Sequence, residues 1–292
     1  MESGTHIEGR DAAHAELRVY VPDRQRGLGL RVWAEMAREL WRARDLAWRL
    51  AWRDVVARYK QSVFGVLWAV FTPVAMMLTF AYLKRAQFFA IQDAEIPYPL
   101  FVYCGLVPWQ LFATCLTKST SSLVQATDLV KKINFPREVL VLAKVGEALF
   151  GFLMASLVLV GLFVYYGTWP AWTVVFYPLV LALLLMFAVG LGLMLSLLEG
   201  AVRDVGNALG IILLLWLLLT PVVYPAPTGW PAVMLNWLNP LSPIIVSIRD
   251  LTFHGTLTMP RQLLVSALVC VLVTGVGWRM FHFVEPKIAE RV

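Results

Sequence analysis

Five ionisable residues border long apolar runs, where charge is expensive: Lys144, Glu147, Glu199, Arg203 and Asp204. Charged groups at membrane depth usually serve ion pathways or proton relays, so these are the first candidates for chemistry. All five lie near the ends of their runs, and no carboxylate occupies the middle of one. That argues against a proton- or sodium-driven carrier, an intramembrane aspartyl protease or a glycosyltransferase. Lys144 and Glu147 are three residues apart, a spacing at which helical side chains meet, and are expected to pair with each other. The four histidines (His6, His14, His254, His282) are scattered, with no HExxH or CxxC spacing to hold a metal. Cys104, Cys115 and Cys270 fall inside apolar runs and read as small buried side chains, not as a disulfide framework. No Gly-Lys dipeptide occurs, so the chain has no Walker A loop to cradle nucleotide phosphates. No cofactor is expected in this chain, and an enzyme is not expected either.

The elements that carry these residues follow from composition. The 292 residues are 59% hydrophobic and only 15% charged, with a mean hydropathy of +0.69. A soluble domain carries charge at about a quarter of its positions. The continuous apolar runs exclude the ten-residue alternation of a membrane β-barrel. The expected fold class is therefore all-α integral membrane. Six runs approach the roughly 20 residues that a spanning helix needs: 63–83, 100–116, 148–166, 172–198, 208–224 and 263–278. The second and sixth are short, and need polar flanks or snorkelling side chains to reach both surfaces.

Lys and Arg accumulate on the cytoplasmic side of membrane proteins. With the N-terminus inside, the inward segments hold 21 basic residues and the outward segments 4. Both termini are therefore expected in the cytoplasm. The net charge of +6 is read as a topology signal, not as a nucleic-acid surface. No apolar core ending in a cleavage site precedes the first run, so no cleavable signal peptide is expected.

Residues 1–30 read as a polar cytoplasmic tail, and 285–292 as a second one. Residues 31–61 carry an amphipathic pattern, with Trp33, Met36, Leu40, Trp48, Trp52, Val55 and Tyr59 on one face and Arg38, Arg42, Arg49 and Arg53 on much of the other. Trp with Arg suits a helix lying in the lipid headgroup layer; a soluble helix packed on a partner is the alternative. The six-span domain occupies 62–284. Its 117–138 loop is polar and basic, with Asp128, Leu129, Lys131, Lys132 and Ile133 in a short helix that Phe135-Pro136 would stop. A solvated loop whose lysines only fix topology remains the alternative there. The outer segment 225–250 is apolar but broken by five prolines, so short re-entrant or surface-lying helices are expected in place of a span.

Aromatic residues are what the runs offer in place of charge: Phe64, Trp68, Phe71 and Phe80 in the first, Trp216 and Tyr224 in the fifth. Their faces stack on the C–H faces of sugar rings without fixing one position, although membrane aromatics more often face lipid, pack helices or form interface belts. The most specific block joins the amphipathic segment to the first span. There Arg53, Asp54, Arg58, Tyr59, Lys60, Gln61, Ser62, Gly65 and Trp68 spell RDxxxRYKQSxxGxxW. This block resembles the opening of ABC type-2 permeases that export lipid-linked polysaccharides such as O-antigen, capsule and teichoic acid. FPREVLVLA after the 117–138 loop and NPLSPI in the outer segment are similar to that family's motifs as well.

The resemblance implies a permease subunit of an ATP-driven exporter of lipid-linked, O-antigen-like polysaccharide in lipopolysaccharide assembly, placed in the bacterial cytoplasmic (inner) membrane. It implies a homodimer with two copies of a separate ABC ATPase, which uses the ATP and Mg, and a channel between the two permease subunits. Tyr59, Trp68, Phe71, Trp216 and Tyr224 are then candidate channel-lining residues. The Asp128–Ile133 stretch becomes the ATPase-coupling helix, and Trp48, Arg49, Trp52, Arg53, Arg58 and Lys60 the interfacial helix. The alternatives are an ABC type-2 permease for a lipid or drug, or a non-transporting membrane scaffold.

Overall fold

The computed structural model describes residues 30–60, 64–88, 96–127 and 135–288. Among these the chain is helical throughout: α1 (Leu30–Arg42), α2 (Arg44–Lys60), α3 (Leu67–Arg85), α4 (Tyr98–Thr120), α5 (Ser122–Gln125), α6 (Glu138–Tyr166), α7 (Tyr177–Ala201), α8 (Asp204–Leu219), α9 (Leu235–Leu238), α10 (Leu241–Arg249) and α11 (Pro260–Ile288). Five of the described helices are long and apolar enough to cross a membrane: α3, α4, α6, α7 with the 3₁₀ turn before it, and α11. The chain is a multi-pass membrane protein.

The helices outrun the apolar runs that announced them. α4 covers 23 residues and α6 covers 29, because polar flanks such as Lys118 and Glu138 continue the backbone ladder beyond the apolar stretch. α6 ends at Gly167, whose left-handed φ of 65° lets its N–H reach the carbonyls of Phe163 and Val164. The fifth run behaves differently. It was expected over 208–224, but α8 stops at Leu219 after 16 residues. Pro221 offers no N–H and pushes the residue before it out of the helical region; Thr220 is accordingly extended, with ψ 135°.

α4 is the central post. It packs against α3, α6, α7, α8 and α10, and 72% of its apolar window is buried, against 11% for α3. Phe112 on α4 is wholly buried; its ring stacks 5.9 Å from Phe187 of α7 and meets Trp216 of α8 edge-on at 5.4 Å. α7 and α11 form the closest long pair. Gly190 and Gly277 face each other at their crossing, where a Cβ on Gly277 would collide with the Gly190 backbone, as close-packed membrane helices require.

Residues 30–60 form two helices, α1 and α2, meeting at Ala43, where the i→i−4 bonds of Ala43 to Glu39 and Ala47 to Ala43 persist at 3.0 Å. α2 lies along α6 and buries Leu50, Ala51 and Val55. The proline-broken segment after α8 contains a short 3₁₀ turn, α9 and α10. α10 is buried along its whole length against α4, α7 and α11.

Candidate functional site

The block that joins α2 to the first span folds as a helix, a break and a second helix. Gly65 takes φ 48° in that break, a conformation that glycine adopts without a Cβ penalty. Phe64 in that break then lines up with Trp68 and Phe71 of α3. Their rings meet edge to face at 5.8 Å and 5.4 Å, and they stay 60%, 48% and 60% exposed. Three aromatics in mutual contact and facing out of the bundle form a ladder, not a core.

Beside the foot of this ladder lies a polar cavity of about 50 Å³, lined by Arg58, Tyr59, Trp68, Thr72, Gln110 and Glu147 among others. It holds a few waters at most, whereas organic ligands occupy pockets of about 300–1,000 Å³. An organic ligand of that size does not fit inside. Burial pushes the Tyr59 phenol above its ordinary pKa, with the Arg58 charge opposing this and the Glu147 charge adding to it.

Five charged side chains from three helices join α2 to the bundle here. Glu147 of α6, only 2% exposed, accepts from Arg58 Nη1 of α2 at 3.1 Å and from Lys118 Nζ of α4 at 3.3 Å, both on Oε1. Lys144, expected to pair with Glu147, instead donates to Asp54 Oδ2 of α2 at 2.7 Å. The spacing along α6 allowed the local pair, but α2 packs over both positions and supplies partners from another element. Burial alone would raise the Asp54 carboxyl; hydrogen bonds from Lys144 and Arg53, with their charges, outweigh it and hold it below the usual carboxylate range. A third buried pair, Glu138 Oε1 with His282 Nδ1 at 3.2 Å, ties α6 to α11.

The other candidates lie elsewhere. Trp216 of α8 is half-buried on the far side of α4, which packs against both α3 and α8. Its Nε1 donates to Asn239 Oδ1 at 3.0 Å, and Asn239 Nδ2 donates to Thr220 Oγ1 at 2.8 Å. Tyr224 donates to the Leu218 carbonyl at 2.9 Å. Thus Tyr59, Trp68 and Phe71 are brought together, while Trp216 and Tyr224 form a second group. Trp48 and Trp52 stack on each other at 6.4 Å and stand 69% and 55% exposed, and Trp48 borders a surface groove with Ala51 of α2 and Leu142 and Gly146 of α6. Arg49, Arg53 and Lys60 are exposed as well. Asp128, Leu129, Lys131, Lys132 and Ile133 lie outside the described residues.

The sequence reading missed Asp54, Lys118 and Gln110. Asp54 carried a signal, since it sits inside the RDxxxRY block; Lys118 and Gln110 carried none, because only the packing of α4 against α3 and α6 brings Gln110 to the cavity and Lys118 to Glu147. Arg249 was counted only as an outward charge. It is 4% exposed, donates to the Pro221 carbonyl and lies 4.1 Å over the Phe101 ring.

Residues 45–253, which contain the ladder, the ion pairs between α2, α4 and α6 and the Arg249 contact, match the ABC-2 type transporter family. The chain is 30% identical over 262 residues to an O-antigen export system permease protein, RfbA, of Myxococcus xanthus, covering 88% of this chain and 99% of that protein. It is also 31% identical over 245 residues to an RfbA permease of Klebsiella pneumoniae, covering 82% and 91%. The matched span takes in every membrane-length helix except α11, and on this ground the chain belongs to the ABC-2 type transporter family.

Proposed function

We propose that the chain is the permease subunit of an ATP-driven exporter that moves a lipid-linked, O-antigen-like polysaccharide across the bacterial cytoplasmic membrane. It works as a homodimer with two copies of a separate ATPase, which binds ATP and Mg. The observation that carries this reading is the exposed Phe64–Trp68–Phe71 ladder at the start of α3. A helix with 11% of its apolar window buried has a free face for a second copy or a polymer, and aromatic rungs at near 5.5 Å let sugar rings slide from one to the next. Trp216 of α8 and Tyr224 just beyond its end flank the same path when two copies meet along α3 and α8.

α8 serves as the sixth span, with both termini cytoplasmic and α9 and α10 as re-entrant helices. Its 16 residues reach only about 24 Å, so Thr220–Tyr224 and local thinning of the bilayer complete the crossing. ATP binding draws the ATPase pair together, and the 128–133 stretch passes that motion to α2. The Asp54–Lys144 and Arg58–Glu147–Lys118 contacts then carry it to α6 and α4. A polymer longer than the membrane is thick needs a continuous channel, not an enclosed cavity.

The test is glycan export per folded transporter, with the ATPase present. Trp68→Ala and Phe71→Ala should each lower export while insertion and expression hold, and Trp68→Phe should be milder because an aromatic face remains. Full export in both alanine variants would remove the ladder from the path. In the same assay, Lys131→Glu with Lys132→Glu should uncouple ATP turnover from export; unchanged coupling would end the docking role of that stretch.

A further inference from the structure

An apolar groove of about 800 Å³ runs between α1 and α11, lined by Trp33, Leu272, Gly275, Val276, Arg279 and Phe283 among others. Trp33 forms its roof and is seated edge-on against Trp278 at 5.8 Å. A side chain added at Gly275 would meet only the tip of the Trp33 ring, at 3.8 Å, so the missing side chain keeps the groove open. Its floor continues into the exposed apolar face of α11, where Leu264 and Leu268 are 72% and 60% exposed.

Length and charge together select an occupant. The lining runs from Val271 to Phe283, and twelve residues at about 1.5 Å each make roughly 18 Å. Half of a hydrocarbon core of about 30 Å is close to that, so the groove is as long as one leaflet is deep. Arg279 is the charged residue of the lining, and α1 and α2 carry the exposed Arg38, Arg42, Arg44 and Arg49 against Glu35, Glu39 and Asp45. Basic clusters at the inner surface attract anionic headgroups. The polar tail of residues 1–29 lacks an apolar stretch that would fill the groove instead.

We propose that this groove binds an anionic phospholipid of the cytoplasmic leaflet. One acyl chain lies along α11 under Trp33, and the headgroup sits among Arg279 and the arginines of α1 and α2. The site rests on the orientation proposed above, with α1 at the cytoplasmic surface, and is independent of the glycan. The lipid would fasten α1, and through it α2, to the end of α11.

Native mass spectrometry tests this on the full chain released from nanodiscs made of equal parts phosphatidylethanolamine and phosphatidylglycerol. Phosphatidylglycerol should be retained preferentially. Gly275→Phe and Leu272→Trp, which fill the groove from its floor, should each lower that retention about tenfold, as withdrawing about two methylenes from apolar contact does. Leu268→Phe, the same kind of addition on α11 outside the groove, should leave it unchanged. Arg38→Gln with Arg42→Gln should erase the preference over phosphatidylethanolamine. Unchanged retention in both filled variants, or no headgroup preference in the parent chain, would overturn the site. So would cross-linking of two copies through Leu272→Cys, which would make the groove a subunit interface. Lipid retention is read without glycan or ATP, so a chain that exports no glycan leaves the site standing, whereas impermeant labelling of α1 from outside would remove the leaflet assignment.

Discussion

The two ends of the bundle hold their polar groups in opposite ways. At the α2 end, charge meets charge: Arg58 and Lys118 share Glu147, and Lys144 holds Asp54. At the α10 end a buried cation is held by neutral groups, since Arg249 donates to the Pro221 carbonyl and lies over Phe101. Around it, Asn239 bridges Trp216 and Thr220, and Tyr98 donates to the Val223 carbonyl at 2.9 Å. Of these cations, Lys144 is 13% exposed, whereas Arg58 and Lys118, 40% and 32% exposed, can turn to water. Donors fixed on backbone carbonyls cannot, because each carbonyl released would be buried without a partner. The α2 end is built to move and the α10 end to keep its shape.

Breaking the α10 end should give the largest effect. Arg249→Leu leaves the Pro221 carbonyl without its donor and removes the cation from Phe101, a combined loss of about 3 kcal/mol. Thermal unfolding of the purified chain should record it, with Gly105→Ala behaving alike because its Cβ would stand 2.5 Å from the Val222 carbonyl oxygen. A buried guanidinium can also be a burden that a hydrophobic residue relieves; a stability gain in Arg249→Leu would show that here and cancel the rigid half of the contrast.

A smaller loss, about 1–2 kcal/mol, is expected for Glu147→Gln. The side chains of Arg58 and Lys118 are 40% and 32% exposed and can turn to water when the carboxylate's charge is gone. Its sharper signature is mobility: spin labels on α2 and α6 should report a broader distance distribution than in the parent chain. An unchanged distribution would mean that apolar contacts alone hold α2.

The smallest effect belongs to Asp54, within about 1 kcal/mol. Its folded pKa is depressed, so the stabilisation is fully present above the unfolded value of about 3.9 and fades as pH falls through the lower folded value. Asp54→Asn should therefore lower the melting temperature slightly at neutral pH and flatten its decline in acid. Parallel acid profiles for parent and variant would remove the Asp54–Lys144 contact from the account.

Periodicity and composition made the helices legible, and the RDxxxRYKQSxxGxxW block made the foot of the ladder legible. The Lys144–Glu147 expectation shows where such reading ends. Neighbouring positions on one helix announce a local pair, but Asp54 and Lys144 are 90 residues apart, and nothing along the chain marks that α2 will lie across α6. The end of α8 was misplaced for a nearer reason. The apolar run continues past Pro221, and hydropathy does not register that proline lacks an N–H.

The sequence by itself determined the all-helical membrane character, the placement of aromatics in the first and fifth runs, and the proline breaks after α8, because each depends on local chemistry that no packing reverses. Tertiary structure decided the rest. It put Tyr59, Trp68 and Phe71 together on one side of α4 and left Trp216 and Tyr224 on the other, and it turned Trp48 and Trp52 outward. It also gave Glu147 two cations from two other helices. Those outcomes follow from which helix faces come into contact, and a buried charge accepts whichever opposite charge that contact delivers, however far away it lies in the chain.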